Sequence, residues 1–539
     1  MQNKQTQERP RSASPKSLSR AGAILFSSLW GLCAGLIASL LAVVTMGVLF
    51  FVAGTPTPPE LFGDYVLKHI DVGTFIRLLI MFSPNSKTTP LGLALLAMIA
   101  IGTVLGLVYA FLVRVRLPAQ GARPGRREWV VALLLTLLMT LTGVLLFNEE
   151  VRQNHYGLPV LWATIATDLA FLLDFAVYGI ALCLLYRLLL PKQAAENEEE
   201  GVRRRRQALS RVGVAALGLV SAGGAAGLLR GYLNEYAAYD GVKTVSNGEK
   251  TVPITPNDGH YIVTQNTVDP NPNINLWRLE VNGLVKRGGT YTYDEVQRLP
   301  STSRAITLEC IANGPGGHLM GTAVWQGVTL KTLLEQHGGA QPEATHVAFY
   351  SVDGYTVSLP LKEVLEADAL LAWRMNGAEV PQKHGYPMRV LVPGRYGEEN
   401  PKWLTRVELT NHFVGGLYSD QGWYNGPLHM TSRIDYPRER VALGASVEVG
   451  GIAYGGDKDV QRVEVSVDDG QTWNDATLTT RLSKDAWVFW TWQWRPQQAG
   501  RYTLACRMTN GVGEVQTGKI QGTVPKGSTG YHKVTIEVK

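Results

Sequence analysis

The sequence predicts a multidomain protein with an N-terminal α-helical membrane bundle of about five spans, then an α+β domain and a C-terminal β-sandwich. Three observations support this prediction. The chain of 539 residues is longer than one hydrophobic core can organise. Long apolar runs end at about residue 232, and the later sequence has the composition of a soluble protein. From about residue 426, short alternating strands are separated by turn signals.

Five apolar runs are long enough to cross a bilayer, which takes about 20 helical residues. They cover 21–53, 91–113, 129–147, 158–190 and 212–229. The first run has no charged residue, so we expect a membrane helix there and not a cleaved signal peptide. A shorter apolar run at 75–82 predicts an interfacial helix.

The basic residues predict the orientation of these spans. Residues 1–20 form a basic tail, and the loops at 114–127 and 192–211 are rich in arginine, whereas 148–157 contains Arg152 against two glutamates. The positive-inside rule places the tail and the two arginine-rich loops in the cytoplasm. Five crossings of the cytoplasmic membrane then leave the chain after about residue 232 outside. The same distribution gives no basic patch of the size that nucleic acid needs.

The run Arg203–Arg206, which precedes the last span, has two interpretations. It is either an internal twin-arginine export signal or a stop on the positive-inside side. Asp168 and Asp174 lie within the fourth span and either relay protons, face a quinone, or make separate packing contacts. The histidines of this half, His69 and His155, lie outside the spans, so we expect no heme.

The cysteines are Cys33, Cys183, Cys310 and Cys506, and their spacing matches neither a disulfide framework nor a zinc motif. Cys310 stands where an apolar strand gives way to a glycine-rich loop that ends at His318. A thiol at such a place is a candidate metal ligand or nucleophile.

Two further motifs follow this loop: the run from His384 through Arg389 to Gly397, and Asn400-Pro401-Lys402-Trp403. The three motifs in this order resemble the molybdopterin-binding domain of the sulfite oxidase family, over roughly 261–423. The resemblance implies a molybdenum–molybdopterin cofactor whose metal is bound by the thiolate of Cys310. It also implies a set of residues that hold the organic part of the cofactor: Tyr261, Thr264, Asn266, Asp353, His384, Arg389, Asn400, Pro401 and Lys402.

Within this set, an arginine suits the cofactor phosphate and a neutral imidazole suits the pterin. Asp353 stands where the family has a pterin-contacting aspartate, but an aspartate before glycine also forms turns. The arginine that the family often has at the position of Gln265 is missing.

The chain departs from sulfite-oxidising members of the family around the cysteine. Those members follow the cysteine with Ala-Gly-Asn-Arg-Arg, whereas here Asn313 is kept but Gly314 and Pro315 replace the arginines. Trp423 stands where the active-site tyrosine is expected, so Cys310, Asn313 and Trp423 form the predicted catalytic set. Without those cations sulfite is a doubtful substrate. We expect oxygen-atom transfer on a small neutral molecule, such as reduction of an S- or N-oxide.

The C-terminal strands predicted at 445–449, 462–467, 487–494 and 501–507 correspond to the immunoglobulin-like dimerisation domain of the family, which implies a homodimer. One run, 466–473, also fits a sialidase Asp-box, although a hairpin turn explains it more simply. The predicted division is a basic tail at 1–20, a membrane domain at 21–190, a basic loop and last span at 191–232, a molybdopterin domain at 233–425 and a dimerisation-type domain at 426–539.

The expected partners are membrane lipid, a small-molecule substrate and an electron carrier that is either a membrane quinone or a soluble protein. Two other functions stay open. Cys310 and His384 could form a cysteine hydrolase, and the outer sandwich could belong to a non-catalytic adhesion or sensor protein.

Overall fold

The computed structural model describes residues 20–82, 88–121, 123–151, 159–193, 200–236, 241, 251–266 and 269–539. The predicted basic tail lies outside these residues except for Arg20, and so does most of the predicted outer loop at 148–157. The chain forms two compact units. The first comprises Met1–Val48, Leu93–Gly143 and Phe171–Leu229, and the second comprises Leu49–Gly92, Val144–Ala170 and Arg230–Lys539.

The described residues of the N-terminal part are mainly helical. Its helices are α1 (Arg20–Ala53), α2 (Pro58–His69), α3 (Val72–Met81), α4 (Thr88–Val113), α5 (Arg126–Leu146), α6 (Asn148–Val151), α7 (Val160–Leu189) and α8 (Glu200–Tyr236). Five of them, α1, α4, α5, α7 and α8, are long and apolar enough to cross a membrane, in agreement with the five predicted spans. The loop predicted before the last span is partly wrong, because α8 already contains Arg203–Arg206. Arginine is a good helix former, so a basic run continues a helix readily.

In the first unit, α1 and α4 approach closely through paired glycines. A Cβ atom on Gly35 would lie 2.8 Å from the carbonyl oxygen of Gly102 and 2.9 Å from the Cα of Gly106. Gly31 faces Gly106 in the same way. Small residues at this spacing let membrane helices pack backbone to backbone.

In the second unit, α2 and α3 both begin at polar caps. Thr57 and Glu60 form a reciprocal capping box at the start of α2. Asp71 accepts a hydrogen bond from the backbone N–H of Thr74 (3.0 Å) in the first turn of α3. Helix α3 contains the apolar run predicted to be helical at 75–82 except for its last residue.

The region from 279 to 420 is built on two five-stranded sheets. Its elements are β1 (Leu279–Gly283), β2 (Gly289–Tyr291), α9 (Tyr293–Gln297), β3 (Thr302–Glu309), β4 (Met320–Thr329), α10 (Leu330–Gln336), β5 (His346–Ser351), β6 (Thr356–Pro360), α11 (Leu361–Glu366), β7 (Leu370–Met375), β8 (Ala378–Glu379), β9 (Arg389–Leu391), β10 (Leu404–Thr410) and α12 (Leu417–Asp420). One sheet has the order β2-β1-β10-β5-β6; the other has β3-β4-β7-β8, with β9 also paired to β7. Strands β5 and β6 pair in antiparallel fashion around the Asp353 turn, and Trp325 lies inside β4.

The C-terminal region forms two four-stranded antiparallel sheets. Their strands are β11 (Thr431–Tyr436), β12 (Val447–Tyr454), β13 (Val460–Ser466), β14 (Asn474–Asp475), β15 (Thr477–Arg481), β16 (Val488–Trp494), β17 (Gly500–Asn510) and β18 (His532–Val538). The orders are β11-β12-β16-β15 and β14-β13-β17-β18, and both sheets contribute side chains to one buried cluster. The Asp-box-like run forms a turn, in which Asp468 accepts hydrogen bonds from the backbone of Gln471 and Thr472.

Candidate cofactor site

Cys310 lies directly after β3, at the base of the loop that joins β3 to β4. Its backbone N–H donates to the carbonyl oxygen of Leu319 (2.9 Å), and its own carbonyl accepts from the N–H of Asn313 (2.8 Å). The residue is only 6% exposed. The strand end therefore holds the thiol at a fixed, buried position, as the sequence predicts.

Asn313 holds the shape of this loop. Its amide nitrogen donates to Glu309 (2.8 Å), and its amide oxygen accepts from the backbone N–H of Leu319 (2.9 Å). Both ends of the amide are engaged within the loop, so the geometry favours a positioning role over the catalytic contact that we expected.

The C-terminal sheets also hold the cysteine loop, a contribution that the sequence did not reveal. Arg433 of β11 donates to the carbonyl oxygen of Gly317 (2.7 Å), and Ser528 donates to that of Asn313 (2.6 Å). Arg433 is buried and paired with Asp435 (2.6 Å). Its charge is therefore already neutralised.

Arg389 carries a buried charge that is not neutralised within the described chain. Its guanidinium donates to the carbonyls of His384 (3.0 Å) and Asn400 (3.1 Å) and lies 5.1 Å from the ring centre of Trp325. Among the described residues no carboxylate pairs with it, and its Nε has no hydrogen-bond partner. Burial lowers the pKa of Arg389 to about 10. Because an uncompensated buried cation is costly, this site fits an anionic group such as a phosphate.

Gly385 brings the other predicted residues close to Arg389. Its φ of +114° lies in the region that favours glycine, and a Cβ there would come within 2.9 Å of the Lys402 Cβ and 3.1 Å of the Arg389 Cβ. Lys402 donates to the carbonyl of Lys383 (3.1 Å). His384, Arg389 and Lys402 therefore converge, as their order in the sequence predicts.

Two buried histidines contact each other beside Arg389. The rings of His384 and His260 meet edge to face with centres 5.4 Å apart. Burial lowers the pKa of His384 well below its ordinary value and lowers that of His260 to about 4. Both rings are therefore neutral at physiological pH, which suits hydrogen bonding to a heterocycle. Sequence analysis missed His260, although it directly precedes the predicted contact Tyr261.

The contact of His384 with Asn257 bears on the hydrolase alternative. Nε2 of His384 is bonded to the carbonyl oxygen of Asn257 (2.8 Å). A carbonyl only accepts, so this nitrogen carries the proton and donates. Nδ1 is then the basic nitrogen of the ring, and because burial lowers the pKa of His384 well below its ordinary value, it is a weak base for Cys310.

The segment around Tyr261 covers the other side of the site. Tyr261 is 7% exposed, and burial followed by the nearby charge of Cys310 raises its pKa well above the ordinary value. Thr264 accepts from the N–H of Asn266 (3.3 Å), whose side chain donates to Asp353 (2.6 Å). Asp353 also accepts from the N–H of Tyr355 (3.1 Å), and burial raises its pKa. Asp353 is thus a turn former that also presents its carboxyl to this segment.

The remaining predicted residues hold the loops around the site. The side chain of Asn400 accepts from the N–H of Val392 (2.6 Å), and the carbonyl of Pro401 accepts from the N–H of Val390 (2.9 Å). These groups support β9, which carries Arg389. Trp423 packs on Tyr418, with ring centres 4.4 Å apart, and joins the apolar cluster that contains Ile311, the neighbour of Cys310.

Two buried carboxyl groups near Cys310 were not predicted. Burial raises the pKa of Glu309 to about 7 and that of Glu398 well above its ordinary value. The Glu398 carboxyl faces the backbone N–H of Ile311, yet within the described structure neither of its oxygens has a partner that meets hydrogen-bond geometry. Two carboxyl groups whose protonated form is favoured by burial therefore lie near the cysteine.

Comparison with known proteins supports the resemblance. The "Oxidoreductase molybdopterin binding domain" model matches residues 266–418, and the "Mo-co oxidoreductase dimerisation domain" model matches 427–539. Nitrate reductase (NADH) of Cichorium intybus is 29% identical over 304 residues, which is 44% of this chain and 33% of that protein. Mitochondrial sulfite oxidase of Mus musculus is 28% identical over 343 residues, which is 53% of this chain and 62% of that protein.

The chain therefore spans about a third of the length of the nitrate reductase and less than two thirds of the sulfite oxidase. Among solved structures, the sulfane dehydrogenase SoxCD from Paracoccus pantotrophus is 22% identical, with a TM-score of 0.49 over 54% of this chain and 84% of that chain. The first match lies on the region that holds Cys310, His384, Arg389 and Lys402, and the second match follows it along the chain, so the chain carries a molybdopterin-binding oxidoreductase domain similar to that of the sulfite oxidase family.

Proposed function

We propose that the chain is a membrane-anchored molybdenum-cofactor enzyme that transfers an oxygen atom on a small neutral substrate outside the cytoplasmic membrane. The observation that carries this proposal is the charge of the site. Arg389 supplies an uncompensated cation where the cofactor phosphate is expected, while Glu309 and Glu398 flank the cysteine.

In this proposal each site residue has a role toward the cofactor. Cys310 provides the metal's thiolate ligand, Arg389 and Lys402 bind the anionic end, and His384 hydrogen-bonds the pterin together with Asp353 and Asn266. The bound cofactor supplies two-electron oxygen-atom transfer. Tyr261 and Trp423 exclude water from one side, and Asn313 fixes the loop that carries the thiol.

The same charges favour a neutral substrate. Gly314 and Pro315 offer no cation, and the Glu398 carboxyl, whose protonated form is favoured because burial raises its pKa, would donate a hydrogen bond to a neutral oxide oxygen. Sulfite would then lie poorly paired in a partly dry pocket. Reduction of an S- or N-oxide fits this arrangement best.

The proposal includes the domain division that the sequence predicts, with the cofactor domain at 233–425 and an immunoglobulin-like domain at 426–539. The match of the second region to a dimerisation domain supports a homodimer. The five apolar helices support an anchor in membrane lipid, and the distribution of basic residues supports the outer placement of the catalytic domain.

Metal analysis of the natively purified full-length protein tests the proposal. The Cys310→Ser variant should lose either its bound molybdenum or its enzymatic activity. The activity is the reduction of S- and N-oxides, measured with a reduced viologen as artificial electron donor. Cys506→Ser is the matched control, because Cys506 is a buried free thiol in the core between the C-terminal sheets. A wild-type protein without molybdenum would overturn the enzyme assignment, and sulfite oxidation faster than oxide reduction would overturn the substrate class.

A further inference from the structure

Residues 415–422 form a short loop around α12, which we call the α12 loop. A cavity of about 940 Å³ is lined in part by residues 415–417, 420 and 421. Tyr418 packs on Trp423, which joins the apolar cluster that contains Ile311, the neighbour of Cys310. One set of loop residues therefore borders open space, and another borders the surroundings of the cysteine.

Both flanks of the α12 loop are attached to one residue of β6. The backbone N–H of Val414 donates to the hydroxyl oxygen of Ser358 (3.1 Å), and the side-chain amide of Asn425 donates to the carbonyl oxygen of the same serine (3.5 Å). Within the loop, the backbone N–H groups of residues 420–422 donate to the carbonyl oxygens of residues 416, 418 and 419. A loop with neighbouring ends and internal hydrogen bonds is able to move as one body.

Glycines with a left-handed backbone conformation lie at both ends of the loop. The φ angle is +89° at Gly415 and +79° at Gly422, values that other residues adopt only with strain. A Cβ on Gly422 would meet no atom within 4 Å, so the backbone conformation, and not a lack of space, requires glycine there. Residues at the ends of a moving segment absorb the change in dihedral angles. These two positions are therefore suited to act as hinges, and each of the four residues of α12 between them is at least partly exposed.

Aromatic contacts hold the loop in the conformation that the structure shows. The ring centre of Tyr418 lies 4.4 Å from that of Trp423, and the ring meets Tyr355 edge to face with centres 5.8 Å apart. Tyr355 is itself fixed, since its hydroxyl donates to the carbonyl oxygen of Glu398 (2.6 Å). A single edge-to-face pair contributes modestly to stability. Rotation of the loop about its glycines would therefore separate Tyr418 from Tyr355 at a small cost and change the packing of Trp423.

We propose that Tyr418 is a positioning residue, which holds Trp423 near the cysteine while the α12 loop is closed, and that the loop opens about Gly415 and Gly422 to admit the substrate. The structure shows the closed form. Closure excludes water from the reacting molecule, as mobile loops do in many enzymes. The positioning role rests on the proposed function, in which Trp423 is a wall of the substrate space. Opening is a property of the chain with or without the cofactor.

Hydrogen exchange of the full-length protein, followed by mass spectrometry of its peptides, measures the opening. Gly422→Ala strains the closed backbone without a collision, so it should shift the loop toward the open form roughly tenfold. Peptides that cover residues 415–422 should then exchange roughly tenfold faster. Gly377→Ala is the matched control, because φ is +81° there, a Cβ would also meet no atom within 4 Å, and the residue lies in the turn between β7 and β8. It should leave exchange in the α12 loop unchanged.

Variants of Tyr418 test the positioning role. Tyr418→Ala removes both ring contacts and should raise KM for dimethyl sulfoxide roughly fivefold, with a smaller change in kcat, when a reduced viologen supplies the electrons. Tyr418→Phe keeps both ring contacts and should have the wild-type KM. Molybdenum content should be the same in all three proteins, because Tyr418 is not among the predicted cofactor residues. A residue that only stabilises the fold would lower the melting temperature without changing KM.

Two results would overturn this inference. One is exchange of the α12 loop that Gly422→Ala accelerates no more than Gly377→Ala does, and the other is a wild-type KM in Tyr418→Ala. A wild-type protein without molybdenum would refute the proposed function and with it the positioning role. Exchange in that same protein would still decide whether the loop opens, so the two failures are distinguishable.

Discussion

Replacing Arg389 with methionine tests whether this residue exists to bind an anion. The side chains have similar length, so the variant removes the charge and the two hydrogen bonds to His384 and Asn400 while filling the same space. In the folded chain without cofactor, the guanidinium is 5% exposed and unpaired by any carboxylate of the described residues. We expect Arg389→Met to lose the cofactor while the apo protein keeps its stability.

The size of this effect follows from the pKa. Its fall from the ordinary 12.5 to about 10 corresponds to roughly 3 kcal/mol, which is the cost of keeping Arg389 charged in the folded state at neutral pH. Folding therefore disfavours the charged form below pH 10, and the cost disappears only as the pH rises toward 12.5. Methionine removes this cost and also the two hydrogen bonds, about 1 kcal/mol each. The apo variant should be as stable as the wild type or slightly more stable.

Arg395 provides the control, because it is buried to nearly the same degree but is paired. It is 7% exposed and bonded to Glu399 (2.9 Å) and Glu363. Arg395→Met leaves Glu399 buried without its partner, which typically costs about 3–5 kcal/mol. For a domain of this size the loss corresponds to a fall of roughly 10 °C in melting temperature.

The assay compares thermal melting of apo protein, produced in a host that lacks cofactor synthesis, with molybdenum per chain in protein from a competent host. Arg389→Met should melt near the wild-type temperature and lack molybdenum, whereas Arg395→Met should melt lower. If Arg389→Met destabilises the apo protein as much as Arg395→Met does and still retains molybdenum, then Arg389 is a structural residue and the phosphate assignment is wrong.

Three further predictions concern stability, each measured by melting of the purified protein. Gly35→Leu should cost about 1–3 kcal/mol because it separates α1 from α4, whereas Gly227→Leu, with open space around its Cβ, should be neutral. Arg187→Leu should cost about 3–5 kcal/mol by leaving buried Glu128 unpaired; failure of a second Glu128→Leu change to recover stability would contradict this. His260 gains a proton below pH 6.5 in the unfolded chain but only near pH 4 in the folded chain. Lowering the pH from 6.5 to 4 should therefore reduce the free energy of unfolding by up to roughly 3 kcal/mol. His260→Asn should make the melting temperature less dependent on pH in this range.

Much of the fold follows from local sequence patterns. The five apolar helices were predictable because a membrane helix depends on a continuous apolar run, which is visible in the sequence alone. The start of α8 was not predictable in the same way, since a basic run such as Arg203–Arg206 is equally compatible with loop and helix.

At the site, motif spacing predicted which side chains converge but not how each is used. His384, Arg389 and Lys402 lie close together around Gly385, whereas the role of each, and that of Cys310, toward a cofactor stays a prediction. Asn313 was predicted to be catalytic, yet its amide is engaged by Glu309 and Leu319, partners that only the closed loop brings together. His260 and Glu398 carried no signal of their own, because their burial depends on contacts between distant segments.

The contacts between the two regions explain why the C-terminal sheets matter for chemistry as well as for assembly. Strand β3 and its cysteine loop accept hydrogen bonds from Tyr454 to the carbonyl of Thr307 (2.9 Å), from Ser528 to that of Asn313 and from Arg433 to that of Gly317. These bonds lie on both sides of Cys310 and connect it to two strands of one C-terminal sheet, β11 and β12, and to the loop between β17 and β18. A thiol that is held from both sides keeps its position when another molecule enters the neighbouring space. A metal site requires coordinating side chains that are fixed in this way. The dimerisation-type region therefore supports the cysteine loop, and a truncation after residue 425 would remove these three hydrogen bonds.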